Sequence, residues 1–242
     1  ERMPVTMTSE ITRRAALSLV GAGTTVFLSA CAATNVFVGT QEDASSPSAS
    51  PKDYKGEAKL EEYDTSAGTF EPATHDTPPK NVPEPAKPEN ANEDSVAGLY
   101  SNIAFIGAAL THALLDGYAT PLYESALSQE DVQEFQSGVP LGKIRKGKYW
   151  EADSKIIIFL ETSEPTKEGD EYIWPYQMES RHGAFRVDVK ETSTERSVKV
   201  STIPTSQQVH KGSGKIKAKY TGGRWVIDIE FDKSSSSASP SY

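Results

Sequence analysis

Residues 90–117 read NANEDSVAGLYSNIAFIGAALTHALLDG, and the fold turns on them. Val96, Leu99, Ile103, Ile106, Leu110, Ala113 and Leu114 recur at intervals of three and four, which is the period of a helix. Asn90 followed by Glu93 is a capping pattern that predicts the helix start, and Gly117 predicts its stop. No charged side chain stands between Ser101 and Leu115, so this helix is expected to be covered on more than one face and to sit at the centre of a core. Ser101, Asn102, Thr111 and His112 interrupt it too often for a membrane span. Pro121 and Leu122 start a second short helix, and Ser128 with Asp131 caps a third that runs to about Gln136.

Beyond Gly138 the period changes to two. Ile156 to Leu160 is an unbroken apolar run, which suits a strand covered on both faces. Alternation follows in Tyr172, Trp174, Tyr176 and Met178, then in Phe185, Val187 and Val189, and in Val198 and Val200. It continues in Ile216, Ala218 and Tyr220, and in Trp225, Ile227, Ile229 and Phe231. Such segments predict an antiparallel sheet with one buried face. Turns are expected at Gly169 with Asp170, His182 with Gly183, Gly212 with Gly214, and Gly222 with Gly223. Pro175 marks its strand as an edge or a bulge. The fold class is therefore α+β, with N-terminal helices packed on a curved antiparallel sheet of about five or six strands.

The amino end reads differently. Arg13 and Arg14 precede an uncharged run from Ala15, and Leu28, Ser29 and Ala30 stand directly before Cys31, the single cysteine of the chain. This layout resembles the lipobox of bacterial lipoproteins, and the residues around Arg13 and Arg14 also resemble a twin-arginine export motif. The resemblance implies a diacylglycerol on the Cys31 thiol, cleavage between Ala30 and Cys31, and a membrane partner reached through that lipid. General secretory export and an uncleaved transmembrane anchor are the alternatives. The expected organisation is a signal peptide at 1–30, a lipid-anchored, disordered Pro, Ser and acid-rich tether at 31–90, an α+β domain at 91–232 and a disordered tail at 233–242.

Of the 242 residues, Ala32 to Gly98 carries 13 acids against 5 bases, while Leu99 to Tyr242 carries 19 against 17. A nearly neutral domain lacks the basic footprint that nucleic-acid binding needs. With Cys31 committed to lipid, the domain has neither a disulfide nor a thiolate metal site, and no cofactor is expected.

The segment Pro79 to Pro85, the stretch Asn90 to Gly98, the long helix, and the ending Gly223 to Ile227 resemble a family of uncharacterised actinobacterial lipoproteins. Such domains are similar to the nuclear-transport-factor-2-like cone, a long helix in the hollow of a bent sheet. The cone can enclose a pocket, so His112 with Asp116 or Asp188, and the aromatic row Tyr172, Trp174 and Tyr176, are the candidate pocket residues; a core or rim histidine and an aromatic row that is simply core or edge packing are the commoner readings of the same residues. His75, His182 and His210 show no metal-ligand spacing. The expected function is a non-catalytic binding or accessory module in the cell envelope, recognising a small apolar ligand, a wall component or another envelope protein. The alternative is a hydrolase or isomerase that uses a histidine and a carboxylate.

Overall fold

A computed structural model describes residues 52–232. The expected signal peptide, the lipobox with Cys31 and the tail from 233 lie outside the described residues. The uncharged stretch forms helix α1, Val96–Asp116. It begins later than the Asn90 and Glu93 pattern predicts. Glu89–Asn92 is a turn of 3-10 helix instead, and the Ser95 hydroxyl caps α1 by accepting from Gly98 N at 3.0 Å. Gly117, at φ 80°, ends it as expected. Leu99, Ile103, Ile106 and Ala113 are buried, and so are Ala104, Phe105 and His112 on other faces. By length and composition α1 is apolar enough to cross a membrane, but 72% of its apolar window is buried in the protein, as suits a core helix. Three short helices follow: α2 at Thr120–Glu124, α3 at Gln129–Gly138 and α4 at Leu141–Arg145. Ser128 caps α3 by accepting from Asp131 N, as its sequence predicts.

Three two-residue strands precede α1: β1 at Gly56–Glu57, β2 at Tyr63–Asp64 and β3 at Glu84–Pro85. After α4 come β4 (Tyr149–Glu151), β5 (Lys155–Leu160), β6 (Thr166–Glu168) and β7 (Glu171–Arg181). The described residues end with β8 (Phe185–Glu191), β9 (Arg196–Thr202), β10 (Val209–Thr221) and β11 (Arg224–Phe231). The main sheet runs β1-β5-β7-β10-β11, with β6 on the far end of β7, and β4-β8-β9 form a separate sheet. Among the described residues these strands all pair antiparallel, and an isolated parallel bridge joins Leu127 to Ile227. The protein is thus α+β, helices against antiparallel sheets. The main core joins Leu99, Ile103, Ile106 and Leu110 of α1 to Ile158, Trp174, Tyr176, Ile216 and Ile227 of the main sheet.

Several expectations need correction. The alternating segments do not build one sheet: Val198 and Val200 lie on the outer strand β9, 50% and 45% exposed. Gly212 and Gly214 make no turn but lie inside β10, where a Cβ on Gly214 would meet the Glu230 carbonyl oxygen at 1.8 Å. The turn falls at Gly222 and Gly223, both at positive φ, where glycine carries no steric cost. Pro175 is neither on an edge strand nor in a bulge, because β7 is central. Its carbonyl accepts from Glu161 N at 3.0 Å, so its ring nitrogen faces the side where the β5 ladder has ended at Tyr176 and the β6 ladder begins only at Ile173. A missing N–H in that gap breaks no ladder bond.

The largest correction concerns the tether. From Lys52 onward the chain is a strap laid over the domain, and the boundary at residue 91 does not hold. β1 extends the main sheet by pairing with β5. Tyr54 packs against Tyr100 and Trp174, with ring centroids 4.8 Å and 6.1 Å away. Trp150 Nε1 donates to Thr74 O at 2.8 Å, and His75 stacks edge-on against Phe185 at 4.4 Å. Prolines and few apolar residues are compatible with order when the partners are supplied from elsewhere in the chain.

Candidate functional site

Between the strap, α1 and β5 lies a groove of about 540 Å³. Its floor is Ala104, Gly107, Ala108 and Leu115 of α1, its wall is Ile156 and Ile157, and the strap closes it with Ala58, Leu60, Tyr63 and Val82. Small residues on one side of α1 create the space, because Gly107 and the alanines leave room where larger side chains would pack. Lys59 and Lys155 stand at the rim and share Glu57, at 3.5 and 3.6 Å. A polar hollow of about 430 Å³ adjoins it, bordered by Asp64, Asn81, Glu84, Asp116 and Tyr118. His112 lines both.

His112 is 6% exposed and meets two acceptors. Nδ1 lies 3.1 Å from Pro83 O, and Nε2 lies 2.9 Å from Asp116 Oδ2. A carbonyl can only accept, so Nδ1 carries a proton, and the Asp116 carboxylate favours a second proton on Nε2. Burial opposes the charge, but the Asp116 hydrogen bond and charge, with the Pro83 carbonyl, raise the His112 pKa above the ordinary imidazole value. His112 is therefore a pin between helix and strap. Both of its ring nitrogens are engaged within the protein.

Of the two carboxylates considered for His112, Asp116 is its partner and Asp188 is not. Asp188 lies on β8, with Lys143 Nζ at 3.5 Å. The aromatic row does not line the groove either. Trp174 and Tyr176 are fully buried in the core, and Trp174 Nε1 donates to Thr162 O at 3.0 Å. Tyr172 packs edge-on to Trp225 at 5.4 Å. Strict alternation brought these rings to the face that α1 covers.

A second histidine–carboxylate pair was not legible in the sequence. His182, expected in a turn, is buried where β7 gives way to β8, and its Nδ1 lies 2.6 Å from Glu151 Oε2. Arg186 Nε donates to Glu151 Oε1 at 2.6 Å, and the Tyr149 hydroxyl donates to the same oxygen. Burial alone would push the Glu151 carboxyl up. The hydrogen bonds from His182 and Tyr149 and the Arg186 charge outweigh it and hold the group down at about 2. The pair spans 31 residues, so no local spacing announces it. Among the described residues no group of three or more His, Cys, Asp or Glu side chains is arranged to hold a metal ion.

Neither the curated proteins nor the solved structures offer a match to this chain. One family model does match, over residues 68–230, more than half of the chain and reaching from the strap to the last strand. The chain belongs to that family, DUF6318, a family of unknown function.

Proposed function

We propose that the chain is a lipoprotein of the bacterial envelope, exported on the signal that carries Arg13 and Arg14, cut between Ala30 and Cys31, and held at the outer face of the membrane by lipid on Cys31. Its domain, which we read as a variant of the nuclear-transport-factor-2-like cone of actinobacterial lipoproteins, acts there as a binding module. The observation that carries the binding reading is the groove beside His112. It has an apolar floor and a rim of two lysines sharing one carboxylate, which suits an apolar ligand with one anionic end. Because both nitrogens of His112 are engaged, the groove binds without a general base, and the hydrolase or isomerase reading loses its support at this place.

The test has two arms. Cells fed a labelled fatty acid should label the wild-type chain, while Cys31→Ala should stay unlabelled with its signal retained; equal labelling would sink the anchor. A fluorescent fatty-acid analogue should bind the wild-type protein and fail to bind Ala108→Trp, whose indole would fill the groove floor. Equal binding by the two folded proteins, or none by the wild type, would remove the groove as the binding site.

A further inference from the structure

The seam between the two sheets holds an arrangement that the groove reading does not use. Glu151 ends β4, opposite Arg186 of β8, and His182 follows directly on β7. His182 N donates to Gln208 O at 2.7 Å, which fixes its backbone against the approach to β10. The Glu151 carboxylate is surrounded by donors: His182 Nδ1 at 2.6 Å and Ser154 Oγ at 3.3 Å on Oε2, with Arg186 Nε and the Tyr149 hydroxyl on Oε1. A carboxylate so held stays ionised and can only accept, so Nδ1 must carry the hydrogen. In the neutral ring Nε2 is then the acceptor, and it faces Ser180 Oγ at 3.4 Å. Such bonds are commonly long before substrate binds and shorten afterwards.

The contrast with His112 is one of chemistry. There, both ring nitrogens are turned to acceptors. Here one nitrogen meets a buried carboxylate and the other meets a hydroxyl, the order in which a carboxylate, an imidazole and a serine activate one another. Exposure follows the same order. Glu151 and His182 are 6% and 8% exposed, whereas Ser180 is only partly buried and can be approached. Directly across on β10 stands His210, and its ring lies edge-on to His182 at 5.5 Å. A clasp between the sheets would need only the Arg186 and Tyr149 bonds to Glu151. It would not need an imidazole presenting its second nitrogen to a serine.

We propose that Ser180, His182 and Glu151 act as nucleophile, base and positioning carboxylate in acyl transfer from carboxylic esters. As Ser180 Oγ bonds to the ester carbonyl carbon, its proton passes to His182 Nε2. The adduct collapses with cleavage of the bond to the alcohol oxygen, and the departing alcohol takes the proton from Nε2. Water then adds to the Ser180 ester, giving its proton to Nε2. The acyl group leaves as the acid, and Ser180 Oγ recovers the proton. Glu151 orients the ring and offsets its charge while it is protonated. Ser180 lies between two paired strands, so its backbone is committed to the ladder, and His210 is the side chain placed to meet the developing oxyanion. Esters with a good leaving group are the class that suits so few oxyanion donors.

The experiment uses the purified full-length chain in detergent, a fluorophosphonate probe with peptide mass mapping, and p-nitrophenyl acetate. The probe should attach to Ser180, and ester hydrolysis should fall at least about 100-fold in Ser180→Ala, a small substitution at a partly exposed site that should leave the melting temperature unchanged. Under conditions where the variants are shown to stay folded, Glu151→Gln should slow labelling to a similar degree, with Glu151→Asp recovering part of it, so that lost stability does not account for the pattern. A folded wild type that leaves Ser180 unlabelled, or a Ser180→Ala protein that hydrolyses the ester at the wild-type rate, overturns the proposal.

Discussion

Acid titration of stability isolates the Glu151 carboxylate. Its folded-state pKa is about 2, against an ordinary value of 4.5. A carboxyl depressed on folding contributes stability that is fully present above its unfolded value and is lost as pH falls through its folded value. The window is therefore roughly pH 5 down to pH 2. At about 1.4 kcal/mol for each tenfold step in proton affinity, the difference amounts to roughly 3 kcal/mol, a large fraction of the stability of an ordinary domain. The measurement is urea unfolding of wild type and Glu151→Gln at a series of pH values. Glu179 and Glu191 are also held below the usual carboxylate range, by Lys211 and Lys148 respectively, and acid will weaken both proteins on their account. The gap between the two proteins belongs to Glu151. It should be widest near neutral pH, with the wild type more stable, and should narrow by roughly 3 kcal/mol on the way to pH 2. Parallel curves would show that the His182, Tyr149 and Arg186 contacts do not hold the carboxylate as described.

Beginning the chain at residue 91 removes Pro83 O from His112, Thr74 O from Trp150 and the Tyr54 ring from the core, at about 1 to 3 kcal/mol for each donor stranded, so thermal melting should fall sharply compared with a chain beginning at 50. Equal melting of the two would mean that the strap contributes nothing. Gly214→Ala should destabilise by several kcal/mol, since its Cβ would stand 1.8 Å from the Glu230 carbonyl oxygen and force β10 from β11; unchanged urea unfolding would contradict that close approach.

What was legible in the sequence is what is made by near neighbours. The run from Val96 to Asp116 has a helical period, and its missing charges mark it as central. Ser128 reaches three residues to cap α3, and Gly222 with Gly223 turns β10 into β11. The strap was illegible because its order comes from a distance: Thr74 meets Trp150 76 residues on, and Gly56 pairs with Leu160. The candidate sites failed or succeeded on the same ground. His112 and Asp116 are four apart on one helix and were found together, whereas Asp188 carried no sign of being Lys143's partner. The period of the row Tyr172, Trp174 and Tyr176 is plain in the sequence, but a period says which residues share a face and not whether that face holds a cavity or a core. Glu151 and His182 are brought together only when two separate sheets meet.

The burial of α1 also bears on the order in which the chain can be assembled. Val96–Asp116 leaves the ribosome well before Lys155–Leu160, and further still ahead of Arg224–Phe231, the strands against which it packs. At roughly 5 to 20 residues per second, an apolar helix of bilayer-spanning length stays uncovered for several seconds. Asn102 and His112 then have a second use. In the finished protein Asn102 donates to Ala91 O and Gly98 O, and His112 is pinned between Pro83 and Asp116, so both are satisfied. In the nascent chain each is a polar group that hydrocarbon would strip of partners, which biases the helix toward waiting for its own strands over entering a bilayer.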